Sequence, residues 1–372
     1  MRESVLYRPA SRMRWPMARS NNPTSGGIMN KYVLPLALAA SVTAMPALAD
    51  NAKLTKLYSG KTVTITIPYG PGGTYDKYGS SFSNHLGRHL PGKPNLIMQY
   101  MPGAGGAKAM NWFANVAPKQ GRNLMVPLDN TVINQVLRPK KMRYNANDFF
   151  WLGSSNQTNS VIVIRADKGI KHILDMRKIP AIGSTSGKNS STYIFSVLAG
   201  KLLGLKLKMV TGYKGSSRSI FAIEQGEVDF TAPNWLAWSS KVPHWFKGKK
   251  PFALPILQNG FFKDPNIPDV PMFTELVKPE DKPLASFLAS AGPLGRGLIL
   301  PPKAANYLKK PLRAAYDSMN ADPKFAAELK KRKLRLIASK GETIQKIVAQ
   351  ALKDTSPEVV ARVRSLVFGS GS

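Results

Sequence analysis

The residues best suited to chemistry in this chain are neutral hydrogen-bond donors gathered in two loops. One is Pro68-Tyr69-Gly70-Pro71-Gly72-Gly73-Thr74, and the other is Gly183-Ser184-Thr185-Ser186-Gly187-Lys188-Asn189-Ser190-Ser191. Proline and glycine keep the first loop out of regular structure, so its backbone N–H groups remain free for an outside acceptor. Each loop opens a helix, whose first N–H groups also lack internal acceptors and carry partial positive charge. Two such helix starts facing each other across a cleft would hold a small anion such as a carboxylate. Buried without such donors, a carboxylate would be costly.

Carriers of covalent or acid–base chemistry are sparse. There is no cysteine, which excludes disulfides, thiolate catalysis and cysteine metal sites. His85 and His89 stand i, i+4 on one helix, but no Glu lies between them and no third ligand is evident, so no metal and no cofactor is expected. They border the apolar stripe Tyr78–Phe82–Leu86 and read as structural. Residues 183–189 miss the P-loop, because three residues separate the glycines and Asn189 replaces the Ser or Thr. They also miss the nucleophile elbow, since Thr185 holds the serine place. Gly103-x-Gly105 lacks the third glycine of a dinucleotide fingerprint. No carboxylate pair adjoins an accessible loop, so general acid–base work has no carrier. Trp235 and Trp238 suit either a core or a pocket wall. Asp229 suits either the bracing of a loop or the end of a strand.

The elements that would position the two loops follow from periodicity. Val63, Ile65 and Ile67 alternate with Thr62, Thr64 and Thr66, a strand in β-branched residues. Tyr75, Tyr78, Phe82, Leu86 and Leu90 return at helical spacing, with Thr74 as N-cap and Asp76 in the first turn. The second loop follows a short strand at 180–182 and precedes a helix carrying Ile194, Val197, Leu198 and Leu202. Further strands are expected at 95–100, 123–128, 161–165, 207–211, 228–231 and 298–300. Residues 251–283 read as proline-rich and irregular, and the chain from 303 to 368 reads as helices. Strands alternating with helices give α/β with parallel sheets. At 372 residues, two domains with proper cores can form.

Residues 29–49 read as a signal peptide. Lys31 gives a positive start, 33–45 form an apolar run too short to span a bilayer, and Ala47-Leu48-Ala49 is the cleavage site. Residues 1–28 read as a mis-annotated extension, with Met29 as the true start. Export to the periplasm is the expectation. The formal charge is +32, and discounting Arg2, Arg8, Arg12, Arg14, Arg19 and Lys31 against Glu3 leaves about +27. Such a surplus points to anionic partners. No nucleic-acid-binding signature accompanies it, and the basic runs at 140–143, 247–250 and 330–335 are scattered.

Several short segments recur in family order. Residues 68–76 fit P-[FY]-x-P-G-G-x-x-D, and Pro102-Gly103-Ala104-Gly105-Gly106 fits R-P-G-A-G-G without its arginine. Residues 144–149 are an eroded Y-D-P-x-x-D-F, and Gly183 to Gly187 approximate G-S-x-G. Tyr213-Lys214-Gly215-Ser216 fits Y-K-G-S, Gly226-Glu227-Val228-Asp229 fits G-x-V-D, and residues 268–275 resemble P-D-V-P-T-x-x-E. Over nearly all of 60–350 the chain thus resembles the substrate-binding receptors of tripartite tricarboxylate transporters, the Bug proteins. Residues 119–122 and the basicity depart from the family pattern and leave the ligand open.

The resemblance implies an α/β, two-lobed periplasmic-binding-protein-like fold (type II) with a two-stranded hinge that closes on ligand. Lobe 1 would be 53–154 plus 285–368, and lobe 2 would be 155–284. A small organic carboxylate would be held by Tyr69, Gly72, Gly73, Thr74 and Asp76 from one lobe, Asp76 bracing its own loop. From the other would come Ser184, Thr185, Ser186, Gly187 and Ser191. Asn130 and Asn234 join them by their positions after strands. The receptor would deliver its ligand to integral-membrane transporter subunits, or to a sensor kinase, and do no chemistry. Two rivals remain: an exported α/β hydrolase-like enzyme with Ser184 or Ser186 as nucleophile, and a basic surface protein for polyanions or lipid headgroups.

Overall fold

The computed structural model of the chain describes residues 45–369. The expected extension and nearly all of the expected signal segment lie outside these residues. The strands are β1 Thr62–Ile67, β2 Asn95–Tyr100, β3 Asn123–Met125, β4 Phe150–Ser154, β5 Ser160–Arg165, β6 Ala181–Thr185, β7 Leu207–Thr211, β8 Phe230–Thr231, β9 Ala253–Asn259, β10 Gly297–Leu300 and β11 Ser339–Lys340. The helices are α1 Met45–Tyr58, α2 Thr74–His85, α3 Ala107–Asn115, α4 Thr131–Leu137, α5 Ser191–Leu203, α6 Ser216–Glu224, α7 Trp235–Lys241, α8 Phe273–Leu276, α9 Lys282–Ala289, α10 Asn306–Asn320, α11 Pro323–Lys331, α12 Gly341–Asp354 and α13 Pro357–Phe368.

The strands form two sheets, ordered β11-β4-β10-β3-β1-β2 and β7-β6-β8-β5-β9. Without β11 the two orders are the same. The first strand of each half, β1 or β6, lies parallel between the second and third. A strand reached by crossing from the other half, β10 or β5, runs antiparallel between third and fourth. The chain therefore crosses twice, at 155–159 and at 290–296. The crossings run side by side: Ser155 N–H donates to Arg296 O at 2.8 Å, and Gly297 pairs with Ser154. This is the expected two-lobed α/β architecture with its paired hinge.

The sequence explains the central positions. Val63, Ile65 and Ile67 on β1 are all fully buried, and Tyr78 and Phe82 of α2 pack on them. Each large side chain so buried contributes about 1.5–3 kcal/mol. The second half has its own core around Ile162, Ile164, Leu198 and Phe230. Three segments expected with the first lobe pack here instead: Ile133 and Leu137 of α4, Phe287 and Leu288 of α9, and Val363 and Val367 of α13. The 251–283 segment is more ordered than its prolines suggest. It holds β9, an edge strand, where Pro255 sits beside a register shift in its pairing with β5. An edge and a bulge are the places a sheet tolerates the missing donor.

Candidate ligand-binding site

The loop after β1 is shaped by its own side chains. Gly72 has φ +87°, a left-handed conformation that favours glycine, and its N–H donates to Asp76 Oδ2 at 2.8 Å. Tyr100 donates its hydroxyl to the other Asp76 oxygen. Asp76 therefore braces the loop from outside the cavity described below. Gly73, not Thr74, caps α2, with φ −85° and ψ 179°. Thr74 is the first helical residue, and its hydroxyl is buried for another purpose. It accepts from Arg296 Nη2 at 3.0 Å, Arg296 Nε at 3.3 Å and Asn234 Nδ2 at 3.2 Å.

The second loop opens α5. Ser190 is the N-cap, its hydroxyl accepting from Tyr193 N–H at 3.2 Å. Ser191 donates to Asp129 Oδ1. Helix geometry leaves the first N–H groups of α2 and of α5 without internal acceptors. Thr74, Tyr75, Ser191 and Thr192, the residues that carry them, all line one cavity between the halves. Ser216 and Ser219 of α6 and Thr231 of β8 extend its hydroxyl-rich wall. Its volume is about 60 Å³, against about 10–15 Å³ needed for one water.

One cation reaches this cavity. Arg296 is only 1% exposed, and its guanidinium lies 3.6 Å from the centroid of the Tyr75 ring. Its Nη1 donates to Gly295 O at 2.8 Å and stands 3.5 Å from Asp129 Oδ2. That last distance is long for a direct hydrogen bond but within ion-pair range, so Asp129 is the guanidinium's counter-ion at the cavity wall. Burial raises the Tyr69 phenol well above its ordinary value, and Tyr75 and Asp129 add to the effect. Burial likewise raises Tyr75. Both phenols therefore stay protonated. Tyr69 donates to Gly105 O at 3.1 Å, and Tyr75 Oη accepts from Asp129 N–H at 3.0 Å.

Of the residues named from sequence, Tyr69, Gly73, Thr74, Thr185, Ser186, Ser191 and Asn234 lie around this cavity. Five do not line it. Gly72 and Asp76 shape the loop. Ser184 is fully buried, its hydroxyl without a partner. Gly187 packs on the backbone of Gly105 across the cleft. Asn130 donates to Asn189 O at 2.9 Å, a bond of the seam between the halves. Trp235 and Trp238 join a separate apolar cluster with Trp245 and Phe246. His85 and His89 bond Glu328 and Asp322 at 2.6 and 3.1 Å, tying the end of α2 to α11.

Sequence reasoning missed Arg296 and Asp129. Arg296 sits alone in the apolar, glycine-rich run GPLGRGLIL, and its partner Thr74 lies 222 residues away. A lone arginine in such a run is the one local signal, since burial of a charge demands partners. Asp129 adjoins the expected Asn130, and only the register of the turn after β3 separates the two.

A family model described as "Tripartite tricarboxylate transporter family receptor" matches residues 83–362. A UPF0065 protein in the tcbD-tcbE intergenic region of Pseudomonas sp. (strain P51) is 21% identical over 244 residues, 64% of this chain and 70% of that protein. The fold is similar to that of the periplasmic binding protein BugD, with TM-score 0.66, 16% identity and coverage of 83% of this chain and 98% of that one. It is also similar to MatC from Rhodopseudomonas palustris with bound malate, with TM-score 0.64, 18% identity and coverage of 82% and 99%. An R. palustris protein with adipate gives TM-score 0.65 at 16% identity, with coverage of 82% and 97%. With three quarters of its length matched by the family model and the two-lobed fold in place, the chain belongs to the tripartite tricarboxylate transporter family of solute-binding receptors.

Proposed function

We propose that this receptor binds a small organic carboxylate between its halves in the periplasm and delivers it to the membrane subunits of a tripartite transporter. The observation that carries the reading is the buried Arg296 guanidinium beside a cavity onto which two helix N-termini open. A carboxylate there would accept from the α2 and α5 N–H groups and from the hydroxyls of Thr74 and Ser186, while the guanidinium supplies the compensating charge. The residues lining the cavity include serines but no histidine, so no Ser–His pair stands there to make a serine nucleophilic. Malate and adipate in two structural relatives are compatible with an acid of this size.

A thermal-shift screen of the purified protein against di- and tricarboxylates, aromatic acids and amino acids tests this. One class should stabilise saturably, by about 2.7 kcal/mol at a hundred times its dissociation constant. If no acid stabilises the protein, or if an ester is turned over and Ser186→Ala abolishes the turnover, the proposal fails. Broad binding of polyanions that collapses with salt would favour the basic-surface rival instead.

A further inference from the structure

Outside the ligand cavity, a second and larger hollow runs along the lip of the cleft. It measures about 540 Å³. One wall is the 70–72 turn of the first half. The other is the second half's Lys214 and Lys241, with Arg218 and Phe221 of α6. Phe221 is 48% exposed, which is unusual for a large aromatic.

The cations here outnumber the nearby carboxylates. Among the described residues, Lys214, Arg218, Lys241 and the neighbouring Lys77 take part in no ion pair. The nearby carboxylates are committed or remote. Asp76 is held by Gly72 N–H and Tyr100, and Glu224 influences Lys241 without pairing with it. Burial, then Lys241, Arg332 and Lys333, lowers the Lys77 ammonium below its ordinary value, with Asp76 opposing them.

The hollow also depends on closure. Its floor is sealed where Gly70 N–H donates to Lys214 O at 2.7 Å across the cleft. Lys77 of the first half reaches Ser240 Oγ of the second at 3.0 Å, one residue from Lys241. Parting the halves would break both contacts and separate the two walls.

We infer that this rim groove docks an acidic segment of the membrane partner, and that it is complete only in the closed receptor. The inference rests on the receptor reading above. A small free oxyanion fits the groove less well. Lys214, Arg218 and Lys241 line a hollow larger than the ligand cavity, and Lys241 and the neighbouring Lys77 already donate to Ser217 and Ser240. Pro71 and Phe221 give it apolar surface that a peptide side chain would cover. A groove built from both halves reports loading: only a closed receptor presents the contiguous positive surface.

The probe is a fluorescein-labelled peptide of glutamates with one central phenylalanine, titrated by anisotropy at physiological salt against the full protein, alone and saturated with the best acid of the screen. The double reversal Arg218→Glu/Lys241→Glu, both at exposed positions, should weaken binding about tenfold or more. The reversal Lys346→Glu/Lys353→Glu on α12 changes net charge equally and should weaken it less than about threefold. Gly187→Ala alters no groove residue but should also weaken binding, because its added Cβ meets the opposing backbone. Absence of peptide binding, or equal losses in the two reversals, overturns the inference. So does displacement of the peptide by millimolar phosphate beyond the effect of chloride at equal ionic strength, which would mark a small-oxyanion site. Binding to phosphatidylglycerol vesicles lost in the groove reversal, with the peptide unbound, would likewise overturn it. A carboxylate screen without hits would sink the receptor reading while leaving the peptide result standing.

Discussion

Replacing Gly187 with alanine should hold the two halves apart without disturbing either core. The residue has φ +154°, and an added Cβ would lie 2.7 Å from Gly105 N and 3.0 Å from Ala104 C. Both are backbone atoms of the opposite half, so no side chain can swing away. Beside this contact, four hydrogen bonds at Asn189 close the seam. Its carbonyl accepts from Asn130 and Asn134 Nδ2, each at 2.9 Å, its Oδ1 accepts from Arg138 Nη1 at 2.7 Å, and its own Nδ2 donates to Ala104 O at 2.9 Å. At about 0.5–1.5 kcal/mol net apiece, their joint loss would cost about 2–6 kcal/mol. Ligand binding that requires the closed form loses affinity by the same free energy, so about 3 kcal/mol corresponds to a loss of roughly a hundredfold. Titration calorimetry reads the affinity, and small-angle scattering reads whether ligand still contracts the particle. Wild-type affinity together with a ligand-induced contraction in Gly187→Ala would refute the seam as the closing contact.

Three further outcomes are expected. Thr74→Val keeps the shape of the side chain but leaves Arg296 Nε and Nη2 and Asn234 Nδ2 without their shared acceptor. Buried donors left unpaired cost about 1–3 kcal/mol each, so chemical denaturation should show a clear loss of stability and calorimetry a weaker ligand; no change in either speaks against the role given to Thr74. Gly73→Val drives a branched side chain toward Ser216, whose Oγ is 3.0 Å from an added Cβ, and should abolish ligand binding while a cooperative melting transition persists. The Arg88 guanidinium, assisted by Lys324 N–H, holds Asp322 down to about 2 from its ordinary 3.8. A depressed carboxylate contributes stability above its unfolded value and loses it as pH falls through the folded one. Asp322→Asn should therefore lower the melting temperature near neutral pH, with the deficit shrinking between pH 4 and 2; a pH-independent deficit contradicts the ion pair.

Much of the framework was legible because the signals were local. Alternation in 62–67 and helical spacing in 75–90 depend on neighbours only, and β1 and α2 form there. Thr74 shows where local reasoning stops. Threonine before an acidic first turn reads as a cap, yet tertiary partners use its hydroxyl and Gly73 caps instead. β9 was hidden for a similar reason, because Pro255 is admissible only on an edge, and edges are set by the sheet order. The charged centre of the site was illegible altogether. Arg296 arrives at Thr74 and Asp129 through the second crossing of the chain, a juxtaposition that no spacing within one segment encodes.

The most direct measurement takes the best acid from the screen and titrates it beside its own carboxamide against the wild-type protein. The acid should bind one to one, and the amide, of the same shape without the charge, should bind at least a hundredfold more weakly, since a charge-assisted contact to Arg296 and two helix starts is lost. An amide that binds as tightly as its acid would show that the cavity recognises shape alone, and would contradict the carboxylate site.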